Sequence, residues 1–159
     1  MTELRLGIAL GGGGARGAAH IGVLNGLEQA DIQISMIAGV SAGSVIGAMY
    51  SIHGNVEWVE KRFKKILAKN LNSNIFIKYL SSSSKKASFF GNAKLFFFEH
   101  FLQIIRLHKK SIISRNTLRR VISDLVPVES FEDLKIPLKI CATELNTGKN
   151  ITYESGDLI

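Results

Sequence analysis

Two glycine-rich turns constrain this chain more than any other feature: GGGARG at residues 12–17 and GVSAG at residues 39–43. Each lies between a short apolar run and a segment of helix length. LRLGIAL (4–10) is stopped by glycine, as a buried strand would be, and the first turn follows it directly. AAHIGVLNGLEQA (18–30) then carries Ile21, Leu24 and Leu27 at helical spacing, and SMIAGV (35–40) runs into the second turn. Strand, loop, helix, strand is the start of a parallel βαβ unit, and the sequence predicts an α/β domain around a mainly parallel sheet. With 159 residues, 46% of them apolar, there is material for one core and hardly for two. The chain is therefore read as one domain, 1–159.

Beyond the second turn, AGSVIGAMYSI has helix length, and NVEWVEKRFKKILAKNL (55–71) is amphipathic with Asn55 placed to cap it. SSSSKKASFFGN (81–92) has a loop composition, and AKLFFFEHFLQIIRLHKK (93–110) carries a dense apolar face with terminal lysines. SRNTLRRVISDLV (114–126) reads as a helix capped by Ser114 and stopped by Pro127. IPLKICATEL and NITYES flank NTGK as two strands around a tight turn.

Residues 12–17 formally match a dinucleotide fingerprint, with Asp31 nineteen positions after Gly12. A ribose-binding acid belongs at the end of the second strand, whereas Asp31 precedes it, so a nucleotide-binding βαβ domain is the weaker reading. A P-loop is excluded because Arg16-Gly17-Ala18 stands where Gly-Lys-Ser/Thr is required. GVSAG, by contrast, is Gly-x-Ser-x-Gly between a strand and a helix, the setting of a nucleophile elbow. Ser41 would project its hydroxyl from a strained turn, flanked by Gly39 and Gly43 because side chains there would collide. Acyl transfer through serine needs donors aimed at the developing oxyanion, and backbone amides serve only where no side chain blocks the approach. Gly12, Gly13 and Gly14 supply such a surface, and the Ala42 amide at a helix N-terminus adds a donor.

Taken together, these motifs resemble those of the patatin-like phospholipases, whose signature is a Gly-Gly-Gly-x-Arg/Lys-Gly oxyanion loop followed by a Gly-x-Ser-x-Gly elbow. The likeness extends through GAAHIGVLNGLEQ and through FEDLKIPLKICATELNTGKNITYESGDL, covering residues 5–54 and 131–158. It implies a three-layer α/β/α fold, incomplete at its C-terminus, and a serine acyl hydrolase of phospholipase type. It further implies a Ser-Asp dyad whose aspartate lies in an Asp-Gly motif. No Asp-Gly dipeptide occurs in the 159 residues, so the base is expected beyond this chain and the chain alone is expected to be inactive. The resemblance implies no cofactor, and no cluster has metal-ligand spacing.

The remaining candidates have plainer roles. His20, one turn into the helix after the loop, is read as a packed or capping-region histidine. Asp157 is followed by Leu158 and is not expected to be catalytic. His53, His100 and His108 lack supporting context, and Asp31, Asp124 and Asp133 read as solvated or turn carboxylates. Ser44 should spend its hydroxyl on the preceding turn. Arg16 is read as a loop-shaping ion-pair partner, with contact to a lipid phosphate as the alternative. Cys141 is read as a buried thiol; as the sole cysteine it excludes an intrachain disulfide and suits a reducing, cytoplasmic setting. Net charge +7 suits an anionic partner, and residues 85–110 are the candidate for peripheral membrane contact. A domain cut before its final strands would leave edge backbone and apolar surface uncovered, so self-association is a further expectation. No nucleic-acid-binding fold is recognisable. A lipid-surface or partner-binding module that keeps the elbow without its base is the non-enzymatic alternative.

Overall fold

The computed structural model describes residues 6–70 and 115–159. The loop expected at 81–92, the apolar segment 93–110 with His100 and His108, the 85–110 membrane-contact candidate and the Ser114 cap lie outside the described residues. In chain order the elements are β1 (Leu6–Leu10), α1 (Ala19–Gln29), β2 (Ile34–Gly39), α2 (Ala42–His53), α3 (Val56–Asn70), α4 (Arg115–Leu125), β3 (Leu138–Thr143) and β4 (Asn150–Tyr153). Short 3-10 turns cover Gly14–Ala18 and Phe131–Asp133.

The strands form one sheet in the order β1-β2-β3-β4, with β1, β2 and β3 parallel and β4 antiparallel to β3. A mixed α/β fold around a mainly parallel sheet is thus what the chain adopts. The two successive crossovers step the same way along the sheet, and right-handedness puts α1 and α2 on one face of it. Register confirms which side chains look that way: Ile8 pairs with Ile37, Ile37 with Leu138 and Gly39 with Ile140. Leu10, Ile37 and Leu138 are buried there. The register slips between Leu6 and Gly7, which pair with Ile34 and Met36, so Ser35 is an extra residue in β2.

β1 was expected to be buried throughout, but only one of its faces is covered, since Gly7 and Ala9 are exposed. Cys141 also departs from expectation, being half-buried. Its cross-strand partner is Thr152, and the neighbouring pair Lys139 and Glu154 forms an ion pair at 2.6 Å, so Cys141 shares a polar sheet face.

The helices converge on α2. Gly47 lets it lie close to the sheet, because a Cβ there would stand 3.0 Å from Ile37 Cγ2 and 3.3 Å from Leu138 Cδ1. Its buried residues Ile46, Met49 and Ile52 join Leu24 of α1, Val59 of α3 and Leu125 of α4 in a single core. Full burial of such side chains contributes about 1.5–3 kcal/mol each before conformational entropy is subtracted. Asn55 caps α3, its Oδ1 accepting from Trp58 N at 2.8 Å. Arg62 donates from Nε to the Leu125 carbonyl at 2.9 Å, fastening α3 to the C-terminal end of α4.

One polar node joins three helices. Glu28 of α1 accepts from Val56 N at the start of α3, 2.7 Å away, and also accepts from the Tyr50 hydroxyl of α2. Burial and this carboxylate push the Tyr50 phenol up from 10.0 to about 12. The folded chain therefore holds the Tyr50 proton more tightly than the unfolded chain, and this contribution to stability is complete below pH 10 and lost as pH rises toward 12. Tyr50→Phe removes it: urea midpoints should show the variant destabilised by about 1.5–3 kcal/mol near neutral pH, with the gap closing above pH 10. A gap that stays constant across that range would mean the hydroxyl does not hold its proton as described.

Candidate functional site

Both glycine turns lie at the carboxyl ends of β1 and β2, which are adjacent parallel strands, and they meet at the N-terminus of α2. The approach is very close. A Cβ at Gly43 would fall 2.0 Å from the Leu10 carbonyl oxygen, one at Gly39 would fall 2.5 Å from Ser44 Cα, and one at Gly17 would fall 2.5 Å from Ala42 Cβ. Glycine at all three positions is a steric requirement. Gly39 and Gly43 were legible as elbow glycines, whereas Gly17, the last residue of the first turn, was not singled out. Its role depends on a neighbour twenty-five positions along the chain.

Ser41 sits between these contacts at φ 52, ψ −119. Among the described residues only Ser41 and Asp31 are non-glycine residues with positive φ. Such a conformation costs on the order of 1–3 kcal/mol and persists only where the surroundings impose it. Here α2 starts immediately after Ser41, and the Val40 amide donates to the Leu10 carbonyl at 3.0 Å, so the turn is held from both sides. The Ser41 hydroxyl caps nothing and is exposed. Ser44, as expected, donates its hydroxyl to the preceding turn, reaching the Ser41 carbonyl at 2.6 Å.

The first turn runs alongside. A Cβ at Gly12 would lie 3.4 Å from Ser41 Cβ, which puts this backbone against the serine. Gly14 adopts φ 55, and the 3-10 turn begins there, closed by the Arg16 amide donating to the Gly13 carbonyl at 3.1 Å. The amides of Gly12 and Gly13 have no acceptor among the described residues. The amide of Ala42, first in α2, has none by helix geometry, and the helix dipole adds partial positive charge beside it. The Gly12 and Ala42 amides, neither with an acceptor among the described residues, thus lie beside Ser41.

His20 turns its ring toward this loop: Nε2 lies 2.9 Å from the Gly11 carbonyl oxygen, to which the N–H tautomer donates. It braces the loop, in keeping with a packed role. Arg16 is exposed, and its guanidinium forms no ion pair among the described residues. Backbone hydrogen bonds and small residues also shape the loop. Asp157 lines a separate polar cavity with Arg119, Ser123 and Glu129, and its Oδ1 accepts from Ile159 N at 3.2 Å. Asp31 lies in the turn before β2, away from the strand ends, which removes the ribose-binding geometry. Asp133 accepts from the Ser130 amide at 3.3 Å, and His53 packs edge-on against Trp58. None of these lines the space around Ser41.

That space is a cavity of about 380 Å³, walled by Val45 of α2, Phe63 of α3 and Leu118, Val121, Ile122 and Leu125 of α4. The α4 residues follow i, i+3, i+4, i+7 spacing and form one apolar face. Leu118 remains half exposed, because that face borders an opening. The helix was legible in the sequence, but its position beside Ser41 was not. A serine with a free hydroxyl, unpaired amides and an apolar wall suits attack on the carbonyl of an ester with a hydrocarbon chain.

The close approach at Gly43 is open to a direct test. Gly43→Ala should destabilise the chain by about 3 kcal/mol or more in thermal or urea unfolding, because the methyl meets backbone that cannot yield. Gly26→Ala in α1, where a Cβ meets nothing within 4 Å, should instead stabilise by about 0.5–1 kcal/mol through helix propensity. Similar behaviour of the two variants would contradict the packing described.

The family described as patatin-like phospholipase matches residues 8–158 of this chain. Among curated proteins, neuropathy target esterase sws of Drosophila willistoni and of Drosophila virilis are each 30% identical over 160 residues, and that of Drosophila melanogaster is 29% identical. Each alignment covers 99% of this chain and 9% of the relative, so the chain spans about a tenth of the length of the relatives it matches. No described helix is long and apolar enough to cross a membrane. With a family match over nearly its whole length and the strand ends, glycine turns and serine arranged as above, the chain belongs to the patatin-like phospholipases.

Proposed function

We propose that this chain forms the nucleophile-bearing part of a serine acyl hydrolase acting on phospholipids or related lipid esters. The observation that carries the reading is Ser41 at φ 52 with an uncommitted hydroxyl, beside a glycine backbone whose amides lack acceptors. In this mechanism Ser41 Oγ attacks the ester carbonyl as a general base takes its proton. The tetrahedral oxyanion accepts hydrogen bonds from the amides of Gly12, Gly13, Gly14 and Ala42. Collapse expels the alcohol, which receives the proton, and water then hydrolyses the acyl-serine by the same route. The acyl chain lies along the apolar face of α4.

The base is an aspartate outside the 159 residues, forming a Ser-Asp dyad. No Asp-Gly dipeptide occurs in the sequence, and no carboxylate among the described residues lines the cavity beside Ser41. His20 is engaged with the Gly11 carbonyl. Arg16, exposed and unpaired among the described residues, is free to meet the phosphate of a lipid headgroup.

The test compares ester hydrolysis by the complete protein, by this chain and by their Ser41→Ala variants. The complete protein should turn over, Ser41→Ala should lower its kcat/KM by roughly 10⁴–10⁶-fold, and this chain alone should show no Ser41-dependent turnover. Undiminished hydrolysis in the complete Ser41→Ala protein would refute the serine mechanism. Liposome binding without turnover in every form would favour a lipid-surface module instead.

A further inference from the structure

The cavity beside Ser41 has a neighbour. A groove of the same size, about 380 Å³, lies between α1 and α3, and the two spaces share Ala18 and Phe63. Of these two shared lining residues, Phe63 has by far the larger side chain. The far groove is lined by Ile21, Gly22 and Asn25 of α1 and Val56 of α3. At its margin Lys64 Nζ meets Glu60 Oε1 at 2.7 Å, a surface pair whose charged ends stay in water while the stems cover the groove.

We propose that Phe63 sets the acyl-chain length this site accepts, and that the far groove is the path for the terminal methylenes of longer chains. The inference rests on the reading of Ser41 as the nucleophile and deepens it by naming the residue that measures the substrate. Its basis is continuity: a linear chain with its carbonyl at Ser41 runs along Val45 and α4, meets the Phe63 ring, and beyond that ring finds the α1–α3 groove. A straight hydrocarbon suits this narrow route, because each methylene buried raises kcat/KM by about fourfold until the chain reaches an obstruction. In the wild-type chain that obstruction is the ring.

The test uses the complete protein and p-nitrophenyl esters from butanoyl to hexadecanoyl. In the wild type, kcat/KM should climb with chain length and then level off. Phe63→Ala should carry the climb further, raising the hexadecanoyl-to-octanoyl ratio by about tenfold or more. Gly22→Leu supplies an opposing change, because a Cβ at Gly22 meets nothing within 4 Å and a leucine can fill the far groove without straining α1. In the Phe63→Ala background, Gly22→Leu should return the ratio toward the wild-type value. Should Phe63→Ala fail to fold, Phe63→Trp should level off at a shorter chain. A ratio unchanged by any foldable Phe63 variant, with hydrolysis still dependent on Ser41, would overturn the role of Phe63 alone. Hydrolysis indifferent to Ser41→Ala would overturn the underlying serine reading, and this inference with it.

Discussion

Everything about the site depends on how closely the start of α2 approaches the carboxyl ends of β1 and β2. Backbone meets backbone there: the space for a Gly43 side chain is filled by the Leu10 carbonyl, and that for Gly39 by Ser44. This contact gives the β2-to-α2 turn no room to relax, which is why Ser41 stays in a conformation that serine disfavours. It also brings the Gly12–Gly14 backbone, the Ala42 amide and the Ser41 hydroxyl to one place. The strain and the donors therefore share one cause, and a substitution that opened this crossing would lose both together.

The second constraint is the small polar node at the other end of the helical layer. Glu28 joins α1 to the start of α3 and to Tyr50 of α2, while Arg62 fastens α3 to the end of α4. Through these bonds the wall that α4 makes beside Ser41 is referenced to the same α2 that carries the serine at its start. A cavity built between helices keeps its shape only if those helices cannot slide, and charged groups satisfying helix termini resist sliding more specifically than apolar contact does.

What the sequence made legible follows from range. The strand-turn-helix order, both glycine turns, the Asn55 cap, the back-bonding of Ser44 and the β3–β4 hairpin are encoded within a few residues of themselves. Residues 12–14 and 39–43 could be read because glycine spacing reports directly on backbone crowding. The roof over Ser41 could not, since Leu118, Val121, Ile122 and Leu125 look like any buried helix face until their partner is known. Gly17 was passed over for the same reason, its neighbour being Ala42. Cys141 was not legible because an apolar run does not report whether both of its faces are covered, and here Cys141 lies beside the Lys139–Glu154 pair.

The geometry around Ser41 also restricts where a base can come from. On one side the Gly12 backbone is within van der Waals reach of Ser41 Cβ, and α4 and Val45 line the apolar cavity beside it. A carboxylate inserted among those aliphatic side chains would be desolvated and would hold its proton, making it a poor acceptor for the serine proton. In the proposed mechanism, an aspartate that approached from a wetter side of the turn would keep its charge and leave the apolar wall to hydrocarbon. Under the proposed reading, that division would give the proton acceptor a polar approach and the acyl chain an apolar one.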